Sequence, residues 1–279
     1  MRLHAFSLVG LFFLSIVATE APQTPKEHSQ LELGVLSFKA GQYEEAIQHF
    51  QKAVLAEPEN VDAHLWMANV LAETYIPGAG SRENVRQGEL AVEQYQKAME
   101  LDPSNMNATK GAAYLNLQMK KFNTAKRLYR KASEIDPNDP ETYYSIAMID
   151  WTQTYQPRME VRAKLGLRPE QPMIQFPQCA QVRDANTELV AEGIELLKKA
   201  IELKHDYDDA MAYMNLMYRE RADIQCGDPR ANASDLKNAD RWVDMTLSIK
   251  KKKAEQEGAK QNEAGSTTTV DFSSAPDPQ

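Results

Sequence analysis

Residues 46–66 read AIQHFQKAVLAEPENVDAHLW, and close variants return at 91–111 as AVEQYQKAMELDPSNMNATKG and at 125–145 as AKRLYRKASEIDPNDPETYYS. Aligned on Pro58, Pro103 and Pro137, each stretch has an alanine five residues earlier (Ala53, Ala98, Ala132). A ring stands three residues before that (Phe50, Tyr95, Tyr129), and another alanine four before the ring (Ala46, Ala91, Ala125). Spacings of 3 and 4 keep these residues on one stripe of an α-helix. Alanine lets a neighbouring helix approach while the ring fills the space beside it. The proline ends the helix, because it cannot donate its hydrogen bond and clashes with the preceding turn. Two residues later, Asn60, Asn105 and Asp139 are suited to cap the next helix, and Pro140 suits its first position. The spacing predicts helix, stop and new helix, written repeatedly.

A helical hairpin repeated in register resembles the tetratricopeptide repeat family, whose helix-turn-helix unit has about 34 residues. Residues 27–60 match it most fully, with Leu33, Gly34, Phe38, Gly41, Tyr43, Ala46, Phe50, Ala53 and Pro58 at family positions. Residues 106–139 keep the period without insertion through Phe122, Ala125, Tyr129, Ala132 and Pro137. The unit between them, 61–105, carries eleven extra residues within ETYIPGAGSRENVRQGE, where Pro77, Gly78 and Gly80 indicate a loop at the hairpin tip. A fourth unit, 140–207, is interrupted at 153–180, which holds Pro157, Pro169, Pro172 and Pro177 and reads as an ordered or semi-ordered loop. A fifth, 208–257, is split by IQCGDPRANAS and acts as the capping unit. The expected fold is therefore all-α, a right-handed superhelical solenoid of about five hairpins over 27–257, with loop insertions in units two, four and five.

The ends read differently. Residues 1–21 have one cation, Arg2, then an apolar run from Ala5 to Ala18 and small residues suited to cleavage after Ala18 or Ala21. That run is too short for a bilayer and fits a secretory signal, so the chain is expected to be exported, periplasmic or extracellular. Residues 22–26 are a linker, and 258–279, poor in bulky apolar side chains, are expected to be disordered. A leader followed by insert-bearing repeats resembles exported bacterial members of the family. In an oxidising compartment the two cysteines, Cys179 and Cys226, tend to pair. They fall in the inserts of units four and five, on one edge of a regular solenoid, which favours a disulfide.

The formal charge of -8 argues against nucleic acid or an anionic membrane surface as partner. Lys250–Lys253 read as a helix C-terminus, not a nucleic-acid patch. Membrane contact is expected only through the N-terminal segment, should it stay uncleaved. No nucleophile elbow, phosphate-binding glycine loop or zinc-ligand spacing occurs, and His28, His49, His64 and His205 are scattered. No cofactor, metal or catalytic residue is expected, and the chain reads as a non-enzyme.

What the resemblance implies instead is a concave groove lined by the first helix of each unit. Carried over by position, the lining residues are Leu31, Val35 and Phe38 in unit one and Asp62, Leu65 and Asn69 in unit two. Unit three gives Lys110, Tyr114 and Leu117, and unit four gives Tyr144, Met148 and Trp151. Such a lining suits an extended peptide or a partner helix. The family's carboxylate clamp, a lysine with two asparagines, is missing: Leu31 and Val35, Leu65 and Asn69, and Lys110 and Tyr114 hold those places. Two other readings stay open: an enzyme or enzyme subunit with its site in 153–180, or a glycan binder using Trp151, Tyr155 and Phe176.

Overall fold

The computed structural model describes residues 28–168 and 171–266, the side chains of 260–266 excepted. The expected signal, the linker and the tail past 266 lie outside the described residues. The described residues form ten helices and no strand. They pair as α1 (Gln30–Lys39) with α2 (Tyr43–Ala56), α3 (Val61–Glu73) with α4 (Arg82–Leu101), and α5 (Met106–Gln118) with α6 (Phe122–Ile135). Then come α7 (Pro140–Lys164) with α8 (Gln178–Leu203), and α9 (Asp208–Asp223) with α10 (Pro229–Ser266). Helices pack on those one or two places away in the chain, the nearest-neighbour pattern of a solenoid.

The local causes are those the repeat prescribes. Asn60 and Asn105 accept backbone N–H bonds from Ala63 and Ala108, and Asp139 accepts one from Glu141. Ser29 and Glu32 form a reciprocal capping box at the start of α1. The alanine–ring–alanine stripes are buried throughout. Two of the rings also bridge units: Phe50 stacks on Trp66 of α3 at 6.1 Å, and Tyr95 donates to Asn69 Oδ1 at 2.8 Å while lying against Gly111 of α5. Burial raises the phenols of Tyr95 and Tyr129 to about 12.

The inserts differ from the expected loops. In unit two only 74–81 lies between the helices, and α4 runs 20 residues where α2 and α6 run 14. Asn84, buried, fixes that loop by accepting from Ile76 N–H and donating to the carbonyls of Ile76 and Ala79. In unit four most of 153–180 is helix, with α7 continuing through Pro157 to Lys164 and α8 beginning at Gln178. The buried Asn186 of α8 donates to the Thr154 carbonyl at 3.2 Å, three residues before the proline. Between the two helices, Arg162 donates to the carbonyls of Arg168 and Gln171, and Met173 and Ile174 are buried. In unit five α10 runs on through Gly258 to Ser266, past the point where composition alone placed the start of disorder.

Cys179 and Cys226 are joined in a disulfide, with Cα atoms 5.7 Å apart. Gly227 N–H donates to the Ile174 carbonyl beside it, so the unit-four insert is tied to the α9–α10 turn. No helix among the described residues is long and apolar enough to cross a membrane.

Candidate interaction groove

The first helices α1, α3, α5, α7 and α9 carry the groove positions. Leu31, Val35 and Phe38 lean on the core of units one to three, and Phe38 meets Trp66 edge-on at 5.6 Å. Leu65 is buried within that core, and Asn69 is engaged by Tyr95. Asp62 stands exposed at the start of α3. Lys110 is bound by two carboxylates, Asp139 at 2.9 Å and Glu141. Leu117 packs on the core of units three and four, whereas Tyr114 beside it is 57% exposed.

Unit four contributes rings. Tyr144 and Trp151 of α7 flank Tyr213 of α9, each edge-on at 5.4 Å, and Tyr207 meets Tyr144 at 5.2 Å. Met148, one turn from Tyr144, is half-buried. Tyr207 and Tyr213 were missing from the sequence-derived lining. Unit five lacks the terminal proline that sets the register, and counting from Asp208 puts Tyr213 sixth, one place past the position that supplied Leu31, Leu65, Lys110 and Tyr144. The surface is thus a row of partly exposed apolar and aromatic side chains, with charges mostly paired. Such a face can bury a partner side chain against rings and offers no group poised to attack one.

Behind the groove lie two ionic clusters. Lys126 of α6 contacts Asp150 of α7 and, at 2.8 Å, Glu192 of α8, which also meets Arg130 at 2.5 Å. Burial raises the Asp150 carboxyl to about 7 against the pull of Lys126, and its Oδ2 has no hydrogen-bond partner. Near the insert, Arg158 Nε lies 2.8 Å from Glu220 Oε2 and its Nη1 2.6 Å from Asp223 Oδ2, where Arg162 Nη1 also docks at 2.8 Å. Burial likewise lifts Glu220 to about 7. These groups join α6 to α7 and α8, and α7 to α9, so they stitch units together. His64 is held between Gln94 and the Pro58 carbonyl, and no cluster of three or more His, Cys, Asp or Glu among the described residues is placed to hold a metal.

Comparison with known proteins agrees with this architecture. Residues 34–74 match a family model described as TPR repeat, and 111–139 one described as tetratricopeptide repeat. No curated protein matches in sequence. A crystal structure of MamA is similar at TM-score 0.55 and 16% identity, over 80% of this chain and 97% of that one. A second MamA crystal structure gives 0.54 and 15%, over 89% and 96%. MamA residues 41 to the end from Desulfovibrio magneticus RS-1 give 0.54 and 16%, over 81% and 97%. At such identities the likeness speaks for the fold alone, a solenoid of helical hairpins. With its repeats matched at two places and its units stacked in this way, the chain is a tetratricopeptide repeat protein.

Proposed function

We propose that this protein is a non-catalytic scaffold of the cell envelope that holds a peptide or partner helix in its concave groove. Tetratricopeptide repeat folds serve protein–protein interaction, and the observation that carries the reading here is the exposed ring of Tyr114 on α5 together with the Tyr144–Tyr213–Trp151 cluster between α7 and α9. A rigid aromatic side chain offers large contact area at small entropic cost, the usual character of a binding anchor. The envelope location is supported by the leader-like residues 1–21 and by a disulfide of the kind that persists in oxidising compartments.

The test is crosslinking in the native host followed by mass spectrometry. A specific protein should be captured by the unaltered chain and lost on Tyr114→Ala and Tyr144→Ala, both with unchanged circular dichroism. Capture that ignores both substitutions contradicts the groove reading. N-terminal sequencing of the host protein should begin at Thr19 or Pro22, and Met1 at the N-terminus of a cytosolic fraction contradicts export.

A further inference from the structure

Aromatic faces carry negative quadrupole potential, and the protein repeatedly sets cations on its tyrosines. Lys204 lies 4.7 Å from the centre of Tyr207, Arg221 4.6 Å from Tyr218 and Arg158 5.7 Å from Tyr155. Tyr144, Tyr213 and Trp151, in the floor between α7 and α9, have no such cation among the described residues, although all three remain partly open to solvent.

Negative charge gathers at the same end of the groove. Lys110 faces two carboxylates, Asp139 and Glu141, so that group keeps an acidic surplus. Asp209, exposed in the first turn of α9, has no ion-pair partner among the described residues. Its field reaches the rings. Burial first, and then neighbouring groups that include Asp209, raise the phenols of Tyr144 and Tyr207. Burial and Asp209 raise Tyr213 as well, against a hydrogen bond from Tyr144. Asp209 and Tyr213 stand one turn apart on α9, so the carboxylate and the ring share one side of that helix.

We infer that this end of the groove selects a peptide segment bearing lysine or arginine, its cation lying on Tyr144, Tyr213 and Trp151 within the field of Asp209. The inference rests on the groove reading and adds a charge rule to it. An acidic segment, the ligand of the family's carboxylate clamp, is repelled at the same place.

Fluorescence anisotropy with the full chain tests this, using labelled peptides of one apolar framework that carry Lys, Gln or Glu at the same positions. The Lys peptide should bind roughly tenfold tighter than the Gln peptide, the Glu peptide weakest, and the preference should shrink in high salt. Asp209→Asn, on an exposed side chain, should weaken the Lys peptide about fivefold and leave the Gln peptide unchanged. Equal binding of Lys and Gln peptides overturns the charge rule while leaving the groove as a binding surface. Indifference of the Lys peptide to Asp209→Asn also overturns it. Binding of none overturns it too, and the Tyr114-dependent capture described above then decides the groove reading separately.

Discussion

Two glycines show how closely the rings dictate their neighbours. A Cβ at Gly34 would stand 2.5 Å from Cε1 of Phe50, and one at Gly111 would stand 2.5 Å from Cε1 of Tyr95, both rings already fixed in the core. Gly34→Ala should therefore destabilise by about 1–3 kcal/mol in urea unfolding, although alanine is the better helix former. An unchanged or raised midpoint would show the contact to be slack. Asp150 and Glu220 set the pH response, since burial raises both carboxyls to about 7 while the unfolded chain releases such protons near pH 4. The folded state thus binds more protons between those values, so stability from these groups is complete below about pH 4 and lost as pH rises through about 7. Asp139 and Glu192 act oppositely. Against burial, Thr142 and Lys110 hold the first below its ordinary value, and Lys126 and Arg130 hold the second, so their contribution disappears as acid protonates them. Tm should be highest at about pH 4–5 and decline toward neutrality, and Asp150→Asn should flatten that decline. A Tm that climbs steadily from pH 5 to 7.5 in the unaltered protein would contradict these assignments. At this scale the sequence was informative about the repeated side chains only. Alanine, ring and proline announced themselves by spacing, whereas Lys126, Asp150, Arg158 and Glu220 follow no period and acquire partners only through the stacking.

Among the elements, the helices at the period were legible and the inserts were not. Pro77, Gly78 and Gly80 do mark a real turn, but the chain re-enters helix at Arg82, where Ser81 caps it and Asn84 ties back the loop. Pro157 was misread for a more general reason. Proline removes only the donor that would serve the Gln153 carbonyl, and α7 continues through it against α8, whose Asn186 donates to the neighbouring Thr154 carbonyl. The pairing of Cys179 with Cys226 was anticipated from their shared edge, because both inserts emerge between the two helices of their units. That bond joins α8 to the α9–α10 turn across 47 residues of chain, and on the chain-entropy view it stabilises the fold by about 4 kcal/mol. The double variant Cys179→Ala/Cys226→Ala should unfold at lower urea, with early exchange of amide hydrogens in α8 and α9 and little change in α1–α6. Uniform loss of protection along the chain would show that the bridge supports more than its own two units.

The whole molecule is a row of hairpins in which the rings of α2 and α4 enter the next unit, Phe50 against Trp66 and Tyr95 against Gly111. This repetition made the fold readable from three short stretches, because a hairpin with one apolar stripe has no stable home except beside another. The groove was readable only in part. Positions carried over from the family located Tyr114, Tyr144 and Trp151, yet assigned equal standing to Leu65 and Asn69, which the core and Tyr95 consume. They also omitted Tyr207, in the turn before α9, and Tyr213, whose unit departs from the pattern. The claim on which the functional account turns is that recognition occurs on this inner row. A photo-crosslinking amino acid placed singly at Tyr114, at Tyr213 and at Leu55, an 80% exposed position on the second helix of unit one, tests it in the native host. One shared partner adduct is expected from positions 114 and 213 and none from 55. Adducts from position 55 alone, or with equal yield at all three, would contradict it.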